Sequence, residues 1–408
     1  MGPPVKRSGL IDLRTLFLIL SGTIGLKAVG QTDSTTRPEQ KDLIDLGRAF
    51  FHLRSHPRSA TATNVQFSFV PVSTQTAGPA GLTITATTAA FRLVNRSAGN
   101  LSTATFAPYV ALQGRVGFAL RSNLWLPRNS WDILGDIRLL YYPQDTWGLG
   151  GSTEYGRQLK INYKYFRVYE TVLKRIETSL FAGLGLLIDN RYDLDAPGDS
   201  LLLQGFTHYP YGTGYSEQST STGISFNLLY DTRTNTQNPL PGSYAHVVYR
   251  VNPVWTGSST PWNSIYVDGR KYVPLSLKRQ DILALWVFYW SVLETHAPYF
   301  DLPSIGWDPY QQRSGRGFPQ NRYRGKALLY GEAEYRHVLT ADGLLGFVVF
   351  FNANAVSEPA TDQLTYFHPA AGAGLRIKFN KKSGTNIALD AGFSKGYTGI
   401  YLNLGETF

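Results

Sequence analysis

Arg316 stands in Ser314-Gly315-Arg316-Gly317-Phe318-Pro319. A guanidinium is always charged and presents a planar fork of donors, so away from water it requires a carboxylate. Gly317 lets the backbone turn tightly, and Phe318 offers an apolar foot for a wall. Three acids are placed to receive the charge. Glu332 and Glu334 are two residues apart and share one face of the strand pattern Leu328 to Arg336; Asp390 lies on the polar face of another. A second constellation is Asp231-Thr232-Arg233 with Pro239, Pro241 and Gly242 downstream. There an acid and a base brace a turn, prolines stiffen it, and Gly242 is expected in a left-handed conformation.

Other chemistry finds little support. The chain has no Cys, which excludes disulfides, Cys-ligated zinc and thiol catalysis. Its seven His sit in no G-x-S-x-G context, His208 has no carboxylate pattern nearby, and His337 falls on an apolar register near a strand end. No metal or nucleotide motif stands out, so no cofactor and no enzymatic activity are expected. Net charge is +10 over 408 residues without a dense Lys/Arg cluster, which argues against nucleic acid.

The elements that must position these groups are strands. Only 17% of residues are charged, mean hydropathy is −0.18, and there are 40 Gly with 8 Trp, 25 Tyr and 22 Phe. From about Gly81 onward, segments of roughly ten alternating residues are separated by turn clusters. Ile387, Leu389, Ala391 and Phe393 oppose Ala388, Asp390 and Gly392; Ile224, Phe226, Leu228 and Tyr230 oppose Ser225, Asn227 and Asp231. One apolar face and one polar face suit a transmembrane antiparallel β-barrel with lipid outside and a polar lumen inside. The count is about sixteen strands, with fourteen as the alternative if the weakest, near 147–157, is not one. Trp125, Trp131, Tyr141, Tyr142, Trp147, Tyr289 and Trp290 would form interfacial girdles. Gln113-Gly114, Lys174-Arg175, Ala341 to Gly343 and Asn380 to Gly384 read as short periplasmic turns, and 189–221, 294–324 and 357–370 as outer loops. A soluble propeller would repeat every 40–50 residues or so, and no such repeat is present.

Ahead of the barrel, assigned to 80–408, Lys6, Arg7 and Arg14 precede an apolar run, and Ala28-Val29-Gly30 is a small-x-small cut. Residues 1–30 therefore read as a secretory signal, leaving a net charge of about +7. Residues 31–79 read as a periplasmic helix over 38–53, with Leu43, Leu46, Phe50 and Leu53 on one face, followed by a linker. The helix either docks a periplasmic partner or covers the lumen mouth. The final strand, 398–408, carries Leu402 and Leu404 at alternate positions and ends on the aromatic Phe408, as an outer-membrane assembly signal requires.

The Arg-Gly-Phe stretch, the Asp-Thr-Arg hairpin and the ending Tyr401 to Phe408, taken in this order, resemble the BamA/TamA family of outer-membrane assembly barrels, also called the bacterial surface antigen family. The resemblance implies that residues 294–324 fold inward as a lumen loop. It also implies insertion or translocation of outer-membrane proteins, with lipids, unfolded clients and periplasmic partners as contacts. Two departures stand out. The family pairs its Arg with an Asp in Phe-x-Asp-x-Gly, and the matching stretch Phe350 to Asn354 has Asn352 there. No periplasmic POTRA domain fits the segment before the barrel. A passive pore or structural accessory barrel is therefore the second reading, and Arg316 either props the loop or gates it.

Overall fold

The structure is a computed structural model that describes residues 40–52, 66–70, 86–91, 100, 102–110, 114–209 and 216–408, the last with breaks at 234, 237, 240, 277–280, 294–295, 311–313 and 382. The secretory signal expected over 1–30 lies outside the described residues.

Helix α1 (Leu43–Phe50) opens with a capping box, Asp42 and Asp45 each accepting the other's backbone N–H. Strands β1 (Gln66–Val70), β2 (Ala86–Phe91), β3 (Ser102–Val110), β4 (Val116–Trp125) and β5 (Trp131–Tyr141) follow. Next come β6 (Gln144–Thr146), β7 (Leu159–Glu177), β8 (Leu180–Asp195) and a second helix, α2 (Ser200–Thr207). The chain continues through β9 (Ser219–Asp231), β10 (Gly242–Asn252), β11 (Trp262–Ser276), β12 (Asp281–Val292) and β13 (Ala327–Val338). It ends with β14 (Leu345–Val356), β15 (His368–Asn380), β16 (Thr385–Ser394) and β17 (Tyr397–Leu404).

The strands form one antiparallel sheet in which each pairs with its sequence neighbour. The exception is β6, which pairs only with β7, while β5 passes it to pair with β7 directly. The sheet is not closed among the described residues. No helix there is long and apolar enough to cross a membrane.

Alternation decides the faces. In β9, Ser225 is 0% exposed while its neighbour Phe226 is 54% exposed, and Leu228 and Tyr230 join Phe226 outside while Asn227 and Asp231 lie within. The same register puts Leu389 and Phe393 outside and Ala388 and Asp390 inside.

Several expectations fail for local reasons. Residues 147–157 do not form a strand of the wall. Gly148 and Gly150 have φ of +88° and +96°, breaking the extended backbone, and a 3-10 turn occupies Tyr155–Arg157. In exchange, β1 lies inside the segment read as linker. Losing one strand reverses the direction of everything before it, so Gly114, of the turn expected at Gln113-Gly114, lies at the end carrying the long loops and not among the short turns; Gln113 lies outside the described residues. The turn placed at Lys174-Arg175 falls at Thr178-Ser179, beyond the end of β7, where Ser179 takes φ +66°. Of the expected girdle, Trp125, Tyr142, Trp147 and Trp290 are buried instead.

The last strand does not run to Phe408. It stops at Leu404, Gly405 takes φ +91°, and the tail turns inward. Phe408 is 4% exposed, and its ring lies 5.2 Å from that of Trp286 and 6.3 Å from that of Tyr272. Leu402 and Leu404 stay on the other face, where Leu404 packs with Phe379 and Ile387.

Helix α1 docks on two adjacent turns at the short-turn end. The Lys41 N–H donates to the Asp342 carbonyl at 3.1 Å. The Lys381 backbone N–H donates to Asp42 at 2.8 Å, and its ammonium sits 2.8 Å from Asp45. Phe50 at the far end is 78% exposed.

Candidate functional site

The sheet curls around the segment joining β12 to β13, and that segment is where the sequence motifs converge. The alternation of β13 sends Glu332 and Glu334 inward, and that of β16 sends Asp390 inward. Arg316 reaches all three: it donates to Glu332 and Glu334 through one nitrogen and to Asp390 at 2.7 Å through another. Tyr330 donates its hydroxyl to Glu332, Arg336 bonds Glu334 at 2.7 Å, and Arg376 bonds Asp390 at 2.5 Å. The guanidinium carbon lies 3.6 Å from the Phe350 ring centroid. Three buried acids against three buried arginines give each charge a partner, the condition under which a buried network is tolerated.

Gly317 serves here by close approach as well as by conformation. Its φ is +97°, and a Cβ would lie 2.8 Å from Ala370 Cβ and 3.1 Å from the Phe393 nitrogen. Its N–H donates to the Tyr401 hydroxyl at 2.8 Å, and its carbonyl accepts from Ser394 at 2.5 Å. Phe318 is buried and meets Tyr323 edge to face at 5.9 Å. Asn352 keeps a hold on the loop by another route: its amide donates to the Arg316 carbonyl at 2.9 Å.

A second clamp, which the motifs did not announce, grips the segment from the opposite wall. Asp301 accepts from Arg191 at 2.6 Å and from Ser221 at 2.7 Å. The Phe300 and Pro309 carbonyls accept from Arg191 and Arg167, each at 3.1 Å. Behind them Asp189 gathers Tyr165, Tyr169, Arg167 and Arg250 within 2.5 to 3.2 Å. The one sequence signal was inward register: Arg167, Asp189 and Arg191 all fall on the polar face. Asp301 has no such signal, because it lies outside any strand. Tyr163, Tyr165, Phe300 and Trp307 then pack as one buried aromatic cluster, so the concavity is filled rather than open.

The short-turn end is covered too. Asp231 and Arg233 pair doubly, at 3.0 and 2.8 Å, with the Arg233 backbone N–H also on Asp231. Gly242 is not left-handed. It is needed because a Cβ would lie 3.3 Å from Arg233 Cα and from the Thr232 carbonyl oxygen. Pro239 is buried in the hairpin. This hairpin reaches across to the β15–β16 turn, Asn235 donating to the Ser383 carbonyl at 2.8 Å and Asn238 to that of Gly384 at 3.1 Å. Beneath it, Arg376 and Asn386 hold Glu406 at 2.7 and 2.6 Å, and Arg336 donates to the Phe408 carbonyl at 2.9 Å.

No sequence-family model matches this chain, and no curated protein does. Solved structures do. BamA from Haemophilus ducreyi lacking POTRA domains 1–3 superposes with a TM-score of 0.53 at 14% identity, over 84% of this chain and 70% of that one. CdiB from Acinetobacter baumannii gives 0.54 at 12%, over 84% and 65%, and CdiB from Escherichia coli 0.51 at 13%, over 86% and 67%. The fold is that of the BamA and CdiB barrels. At such identity the likeness carries the fold and not the activity, and the chain spans about two thirds of each of these solved chains.

Proposed function

We propose that this chain is a Gram-negative outer-membrane barrel that closes through β1 and β17 and assists the insertion or translocation of other outer-membrane proteins. The short-turn end, with α1, faces the periplasm, and the Arg316 segment is a plug entering from the outer side. The observation that carries the reading is the weak seam. β17 has only eight residues, against nineteen in β7. Strand edges with few ladder bonds open cheaply and offer themselves to an incoming hairpin. Membrane lipids surround the apolar face, and unfolded barrels or assembly partners would meet the periplasmic end. The filled interior disfavours a passive solute pore. A structural accessory barrel is the second reading, favoured by the ion-paired clamps that hold the Arg316 segment in place.

The test reconstitutes the purified chain in lipid vesicles and follows the folding of an unfolded eight-stranded barrel added outside. Faster folding than in empty vesicles is expected, abolished when paired cysteines lock β1 to β17. No acceleration, with other barrels at normal abundance in cells lacking the protein, leaves the accessory reading.

A further inference from the structure

Under the 232–241 hairpin lies a chamber of about 250 Å³. The plug residues Pro309 and Tyr310, the hairpin residues Arg233 and Thr236, and the tail from Glu406 to Phe408 line it. Asp132 lines it and is 1% exposed. Neither of its carboxylate oxygens has a hydrogen-bond partner. The Asn123 amide oxygen, buried on the adjoining strand and lining the same chamber, has none either. Thr103 and Thr171 add hydroxyls to the wall. The topology explains the grouping: Asn123 pairs with Thr103 across β3–β4, Asp132 is opposite Leu173 on β7, and Thr171 lies two residues from Leu173 on the same face.

The other charges of the chamber do not neutralise Asp132. Arg121 faces Asp136 at 3.7 Å, Arg233 is doubly bonded to Asp231, Arg270 to Asp268, and Glu406 is held by Arg376. His246 bonds Asn227 at 3.2 Å. Asp132 is thus a buried carboxyl with no neutralising side chain in a polar chamber, an arrangement that is costly unless a proton or a bound cation compensates the charge.

We propose that the chamber binds a monovalent alkali cation, held by Asp132 and Asn123 with the threonine hydroxyls completing an oxygen shell. One carboxylate with neutral oxygens matches a single positive charge, whereas divalent calcium sites gather several carboxylates. The hairpin would keep the ion in place, and the bound ion would brace β3, β4, β5 and β7. The inference rests on the barrel fold and not on insertion activity.

Thallium(I), a heavy stand-in for potassium, tests it in crystals of the full chain. An anomalous peak between Asp132 and Asn123 is expected in the wild type and should be lost in Asp132→Asn. In solution the wild-type melting temperature should exceed its value in N-methylglucamine chloride by a few degrees when potassium chloride replaces it, and Asp132→Asn should lose that difference. No thallium in the wild-type chamber overturns the proposal, as does an equal potassium response in the variant. Should Asp132→Asn fail to fold, the wild-type crystal and Asn123→Ala, expected to weaken the peak, decide alone.

Discussion

At the residue scale, the question is what Arg316 contributes beyond occupying space. It faces Glu332, Glu334 and Asp390 at once, and Arg336 and Arg376 neutralise only part of that cluster. Truncating one partner of a buried ion network leaves uncompensated charge, at a cost of about 3–5 kcal/mol. Arg316→Ala should therefore lower stability in urea titrations of vesicle-embedded protein by about that amount. Arg316→Ala combined with Glu332→Gln and Glu334→Gln should recover much of it. A loss below about 1 kcal/mol would show the charges satisfied by water instead. The inward placement of the three acids was legible because strand alternation fixes a face. Asn352 was harder: read as a lost acid, it works through its amide on a backbone carbonyl, which no spacing rule anticipates. Asp132 was legible only as a polar-face residue, since isolation is a property of neighbours distant in sequence.

At the element scale, alternation told inside from outside, but not how full the inside is. Leu389 is 45% exposed on the apolar face, and Leu389→Arg should cost about 2–4 kcal/mol if it lies near the bilayer midplane. Ala388, its inward neighbour, would be a cheap site for Arg in a watery lumen. It is 0% exposed and pairs in register with Arg376. An added guanidinium there overpacks, typically by about 1–3 kcal/mol, and sets like charges together, so Ala388→Arg should destabilise as well. Urea titration of both variants measures the difference. The tail is a similar case. Phe408 was expected on the wall as a signal, and it packs within against Trp286. Phe408→Ala should cost about 3–5 kcal/mol in purified protein refolded without any assembly machinery; unchanged stability there would confine its role to targeting. Helix α1 adds a pH dependence. Lys381, bonding Asp45, holds that carboxyl below its ordinary value. A depressed pKa means the contact is complete at neutral pH and is lost as pH falls below about 4. Protease cleavage just after α1 should accelerate across that range.

At the scale of the whole molecule, the plug is fastened to two walls by two chemically separate clamps. Arg316 holds it to β13 and β16, while Arg191 and Ser221 hold Asp301 to β8 and β9. The first clamp was readable from a motif. The second was not, because it joins a loop acid without a pattern to strands 110 and 80 residues away. Two clamps on one segment make its release cooperative: breaking either leaves the other to hold the plug, so the effects of separate mutations should not add. Arg316→Glu repels Glu332 and Glu334, and Asp301→Asn removes the charge from Arg191. Each alone should leave single-channel conductance in planar bilayers close to the wild-type value and residues 296–310 resistant to protease. Together they should raise conductance well beyond the sum of the single effects and expose that segment. If Arg316→Glu alone opens the barrel fully, the Asp301 clamp is passive and the plug hangs from one wall. If the double variant stays closed, the aromatic packing of Tyr163, Phe300 and Trp307 retains the segment without either charge.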